Sequence, residues 1–130
     1  MSSFQHLTQT ADWKTEKHVP VIALSGKPKK GESVGVNITV GKEIAHPNTT
    51  EHHIAWVSLF FQPKGEKFPI EIGKAEFSSH GSSAAGPNTS TVYTSSSACF
   101  DFKTDKSGVL TAFSSCNIHG LWGSSLEVEL

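Results

Sequence analysis

At 130 residues the chain is long enough to bury one core without needing disulfides as staples. Its hydrophobic fraction of 36% is low for a globular protein but well above that of a disordered chain. With 11 basic and 12 acidic residues and a formal net charge of -1, it offers no electrostatic case for nucleic acid or an anionic membrane. The one short basic run, Lys27 to Lys30, reads as a solvated turn.

The first residues, Met1-Ser2-Ser3-Phe4-Gln5-His6-Leu7, lack the basic start and apolar stretch of a secretory signal. The longest apolar run, Ile54 to Phe61, is too short to span a bilayer. A cytoplasmic location is therefore expected. On that expectation the Asn-x-Ser/Thr triplets starting at Asn37, Asn48 and Asn88 are chance matches. Cys99 and Cys116 could form one disulfide, but two free thiols are the default in a reducing compartment.

Along the chain the dominant period is two, the mark of strands. His18 to Leu24 is the first candidate. Val34, Val36, Ile38 and Val40 then alternate with Ser33, Gly35, Asn37 and Thr39, predicting a half-buried strand that ends at Gly41. His53 to Gln62 is β-branched and aromatic, predicting a central strand stopped by Pro63. Ile70 to Phe77, Ala98 to Lys103, Val109 to Ser114 and Leu126 to Leu130 complete the set. The Ser/Gly-rich stretch from Gly81 to Ser97 predicts a long loop crossing between sheets. No window shows a helical stripe. About seven short strands separated by turn residues predict an all-β, immunoglobulin-like antiparallel sandwich. A single domain over 12–130 is expected, preceded by a tail over 1–11 in which His6 is solvated.

The chemistry concentrates in Cys116-Asn117-Ile118-His119-Gly120-Leu121-Trp122, where a sulfur and an imidazole stand at metal-ligand spacing before a glycine. Two further histidine groups lie upstream, in Glu16-Lys17-His18-Val19-Pro20 and in His46-Pro47-Asn48-Thr49-Thr50-Glu51-His52-His53. Structural zinc sites lean on several cysteines, and this set offers one cysteine among many nitrogens. Blue copper uses two His and one Cys on a β-sandwich, but wants an axial Met or Gln, and the only methionine is Met1. Iron held by several imidazoles and one sulfur, with fewer than six protein ligands, leaves room for a small substrate. A non-catalytic electron-transfer or metal-binding sandwich of cupredoxin type stays open beside it.

These motifs, together with Gly41-Lys42-Glu43-Ile44-Ala45-His46-Pro47-Asn48, Glu51-His52-His53-Ile54, His80-Gly81 and Gly86-Pro87-Asn88-Thr89-Ser90, closely resemble superoxide reductase of the one-iron kind, or neelaredoxin, within the desulfoferrodoxin-like family. The similarity runs from about Asp12 to Trp122. It implies iron (Fe2+/Fe3+), one centre per chain, held by the imidazoles of His18, His46, His52 and His119 and by the sulfur of Cys116. It also implies a catalytic pair, Glu16 as a mobile carboxylate at the sixth position and Lys17 as the charge that attracts superoxide. Backbone N–H groups of Asn117 to His119 would tune the sulfur. The implied reaction reduces superoxide to hydrogen peroxide by one electron. Two-iron relatives carry an N-terminal rubredoxin-like centre of four cysteines, and no cysteine precedes Cys99 here. The electron is therefore expected from outside, from rubredoxin or a similar carrier. The resemblance also implies a homo-oligomer, a dimer or tetramer.

Other conspicuous residues have quieter readings. His53 follows His52 directly, and neighbours on a strand face opposite ways, so His53 is expected to be packed or hydrogen-bonded away from the ion. His80 is expected on the surface, Cys99 as a buried inert thiol, and Trp56 and Trp122 as core or interface aromatics.

Overall fold

The computed structural model describes residues 6–130. Alternating apolar residues become seven strands: β1 (Pro20–Leu24), β2 (Val34–Val40), β3 (Ile54–Pro63), β4 (Ile70–Glu76), β5 (Ser97–Phe102), β6 (Gly108–Cys116) and β7 (Gly120–Val128). They form two antiparallel sheets, ordered β1-β2-β5 and β4-β3-β6-β7. The chain crosses between the sheets through 77–96, as the Ser/Gly-rich composition predicts. No helix appears among the described elements. None is therefore long and apolar enough to cross a membrane.

The core lies between the sheets. Strand β2 sends Val34, Val36, Ile38 and Val40 inward and exposes the intervening residues more. Strand β6 does the same with Leu110, Ala112, Ser114 and Cys116. Cys116, only 2% exposed, is thus the last residue of a core-facing row, and its sulfur leaves the core where the strand ends. Strand β3 is irregular. Ile54 faces inward, but a register shift between Ile54 and Trp56 moves the inward set to Val57, Leu59 and Phe61. Such a bulge bends the strand end that leads from His52.

Three sequence expectations change. Strand β7 starts at Gly120, well before Leu126, because pairing with β6 recruits the small residues Gly123, Ser124 and Ser125. Cys99 is exposed: β5 points Phe102 inward, so Cys99, opposite Asn37, faces outward and accepts from Asn37 Nδ2 at 3.1 Å. The segment expected as a loose tail is tied at Gln9, whose N–H donates to Leu121 O and whose carbonyl accepts from Gly123 N–H, both at 2.9 Å. His6 itself is exposed.

Candidate metal centre

One end of the sandwich gathers all five proposed ligands. His18 immediately precedes β1 and is 5% exposed; its carbonyl accepts from the buried Ser114 hydroxyl at 2.9 Å, tying it to β6. His46 and His52 lie in the connection between β2 and β3. That connection begins at Gly41, whose φ of +82° turns the chain so tightly that a Cβ there would sit 2.6 Å from the His46 nitrogen. Cys116 ends β6, and His119 lies in the turn to β7. The turn is a hairpin loop, closed by the Cys116–Gly120 pair, and Gly120 adopts the left-handed conformation with φ 81°. The Cys-x-x-His-Gly spacing is therefore hairpin geometry as much as ligand spacing.

The four rings form a cycle in the order His18, His46, His52, His119. Neighbouring centroids are separated by 4.8, 4.7, 5.0 and 4.9 Å, and the His18–His52 diagonal is 6.3 Å. Each ring is steeply turned against its neighbours, by 60 to 81°. The result approximates a square of imidazoles. Donor atoms of His18, His52, Cys116 and His119 lie within 4.8 Å of one another. His46 falls outside that tightest group but closes the cycle through its ring.

Outer hydrogen bonds decide which nitrogens face the centre. Glu16 accepts from both the backbone N–H and Nδ1 of His18, the latter at 2.9 Å, so Nε2 carries the free lone pair. His46 Nδ1 donates to Pro47 O at 2.6 Å, leaving Nε2 inward. The Nε2 atoms of His46 and His52 are buried without any hydrogen-bond partner. His18 Nε2 lies 3.2 Å from His119 Nδ1, which lies 3.8 Å from the Cys116 sulfur. Converging lone pairs of this kind repel unless a proton or a cation lies among them. The donor set therefore fits a transition metal, and a square of nitrogens with one sulfur differs from the trigonal two-histidine copper site.

Electrostatics favour the neutral imidazole at His46 and His52. Burial pushes the His46 pKa down to about 4, and the positive charges of neighbouring histidines and Lys17 add to it. His52 is lowered by burial first, then by His119, His18 and Lys17. Burial acts to raise the Glu16 carboxyl, but hydrogen bonds from His18 and the charge of Lys17 outweigh it and leave it below its ordinary value. Lys17 is half-buried beside these groups. The Glu16 carboxylate sits on the outer nitrogen of His18.

Trp122 and His80 depart from their quieter readings, and His53 keeps its own. Trp122 stacks on His18 with centroids 4.8 Å apart and planes 14° apart, and its Nε1 donates to His119 O at 3.1 Å. Its place inside the Cys116–Trp122 motif was the available signal. His53 stands apart from the cycle of four rings and stacks on His80 at 3.6 Å. His80 is consequently half-buried rather than a surface residue, held by Asn48 Oδ1 at 2.8 Å and Phe77 O at 2.7 Å. Of the amides expected around the sulfur, His119 N–H donates to it at 3.3 Å, while Asn117 N–H goes to His53 O.

Residues 10–125 match the family model described as Desulfoferrodoxin. The neelaredoxin of Megalodesulfovibrio gigas is 53% identical over 122 residues, covering 94% of each chain. The superoxide reductase of Pyrococcus furiosus is 54% identical over 121 residues, covering 93% of this chain and 95% of that one. Among solved structures, the reduced superoxide reductase (neelaredoxin) of Archaeoglobus fulgidus has a TM-score of 0.90 and 61% identity, covering 96% of this chain and all (100%) of its own. Matched along almost its whole length by sequence and by shape, the chain belongs to the desulfoferrodoxin family.

Proposed function

We propose that this chain is a superoxide reductase, reducing superoxide by one electron and two protons to hydrogen peroxide, with no oxygen evolved. The observation that carries this reading is the square of four imidazoles closed by the Cys116 sulfur. His18, His46, His52, His119 and Cys116 would hold the iron, which would supply the electron when bound.

The chain's own residues supply the remainder. Lys17 gives the site a positive charge, which steers the superoxide anion toward it and keeps the approach favourable despite the chain's net charge of -1. The two protons come from solvent. Glu16 holds His18 in one tautomer through Nδ1, and to act as the mobile carboxylate it has to leave that nitrogen. Trp122 covers the face of His18 and restricts water there. The His119 N–H bond to the sulfur moderates how strongly that sulfur donates.

The electron comes from an external carrier such as rubredoxin, a reading supported by the single His/Cys cluster found among the described residues. Two free cysteines suit a cytoplasmic protein. Metal analysis with a visible spectrum is the first test. About one iron per chain and an oxidised band that bleaches on reduction are expected, followed by superoxide consumption without oxygen release. Oxygen release in equal measure with peroxide, or zinc without colour after iron reconstitution, would sink the reading.

A further inference from the structure

The segment carrying His46 and His52 belongs to no strand, so much of its backbone has no ladder partner. Within the segment Thr49 binds His52, its Oγ1 accepting from His52 N–H at 3.0 Å and its own N–H donating to His52 O at 2.9 Å, and asparagine side chains from two distant loops supply further partners. Asn88, in the β4–β5 crossing, accepts from Thr50 N–H at 2.9 Å and donates to the Glu51 carboxylate at 2.8 Å. Asn117, in the β6–β7 turn, donates Nδ2–H to the Glu51 carbonyl at 2.9 Å and accepts from His53 N–H at 2.8 Å. Its own N–H donates to His53 O at 3.2 Å.

The positions of these bonds matter. The Glu51 carbonyl belongs to the peptide before His52, and His53 N–H to the peptide after it. One side-chain amide thus grips both peptides that flank His52. It does so from the residue covalently attached to Cys116. An antiparallel rung normally exchanges two backbone bonds. Here Asn117 gives its backbone N–H to His53 O, but its side-chain oxygen replaces its carbonyl as the acceptor for His53 N–H. That substitution continues the β3–β6 ladder by one rung beyond the Ile54–Cys116 pair while leaving the backbone free to turn toward His119. An asparagine suits this task because its amide offers one donor face and one acceptor face at peptide-like geometry.

We infer that Asn117 is a positioning residue that sets the His52 imidazole relative to the Cys116 sulfur, and through them the strength of the sulfur–metal bond. The inference rests on the ligand reading above. Asn88 supplies the contrast: it orders the same loop, but from a segment that carries no ligand, so it stabilises the loop without relating it to the sulfur.

The test uses the full-length protein, metal-free and then titrated with Co(II). Asn117→Ala is expected to weaken Co(II) binding by roughly tenfold or more and to shift the sulfur-to-cobalt absorption band. In the metal-free protein it should also speed exchange of the His53 amide. Asn117→Asp, which keeps the acceptor but loses the donor, should fall between Asn117→Ala and wild type. Asn88→Ala should lower the melting temperature and leave the band where it is. Wild-type band position and affinity in both Asn117 variants would overturn the inference, as would an equal band shift in Asn88→Ala. A wild-type protein with no sulfur-to-cobalt band would overturn the ligand reading itself, which separates the two failures.

Discussion

Lys17 stands one residue from His18, half-buried, with its charge felt by His46, His52 and Glu16. A single positive charge placed there acts on encounter with an anion more than on the proposed ligands. Lys17→Ile should lower the second-order rate with superoxide by about tenfold at low ionic strength and flatten its salt dependence. An unchanged rate in pulse radiolysis would remove Lys17 from the mechanism. Glu16 acts on a different quantity, because its carboxylate fixes the proton of His18 on Nδ1. Glu16→Ala frees His18 to change tautomer, and metal affinity should fall by roughly ten- to a hundredfold. Glu16→Gln keeps an acceptor and should retain most of that affinity, as metal competition titration would show. The identity of these residues was legible in Glu16-Lys17-His18. The hydrogen bond between the first and the third was not, because it depends on how the chain bends before β1.

At the scale of elements, two turns build the centre. The β6–β7 hairpin presents Cys116 from a core-facing row and His119 from its loop, so strand parity and a short turn suffice to place both. The β2–β3 connection needs Gly41. Its positive φ and the 2.6 Å approach that a Cβ would make to the His46 nitrogen leave no room for a side chain. Gly41→Ala should cost about 1–3 kcal/mol of stability and weaken metal binding together. Denaturant unfolding and metal titration on one preparation would check both, and an unchanged affinity would mean the turn does not place His46. Period-two patterning found β2 and the body of β6 readily. It missed the first half of β7, since Gly120 to Ser125 carries mostly small polar residues that become a strand only by pairing with β6. It also misplaced Cys99, although Phe100 and Phe102 beside it already implied that the thiol faces outward.

At the scale of the whole molecule, the proposed ligands come from before β1, from the middle of the chain and from its last hairpin. A bound metal therefore cross-links segments about a hundred residues apart. Saturating metal at 100 times its dissociation constant should add about 2.7 kcal/mol to stability, and chelation should lower the melting temperature accordingly. Without metal, pH becomes the lever. Burial holds the folded His46 pKa near about 4, below its ordinary 6.5, so the unfolded chain takes up a proton first as the solution is acidified. His52 is displaced in the same direction. The metal-free protein should accordingly lose stability as pH falls from 6.5 toward 4 and gain nothing from alkaline conditions through these groups. Urea unfolding at pH 7 and pH 5 that gave equal stabilities would refute this.

Local spacing determines much about this chain on its own. Period-two hydrophobicity specifies strands because adjacent side chains on a strand face opposite ways, and the Cys116–Trp122 motif keeps two ligands within one tight turn whatever surrounds it. The tertiary structure alone decides the cyclic order of the imidazoles, the burial of His80 against His53, and the grip of Asn117 on the peptides around His52. Those depend on sheet register, which brings residues 18, 52 and 116 to one end of the sandwich. Between strands far apart in sequence that register depends on how their apolar faces meet across the sheet, which no single segment shows by itself.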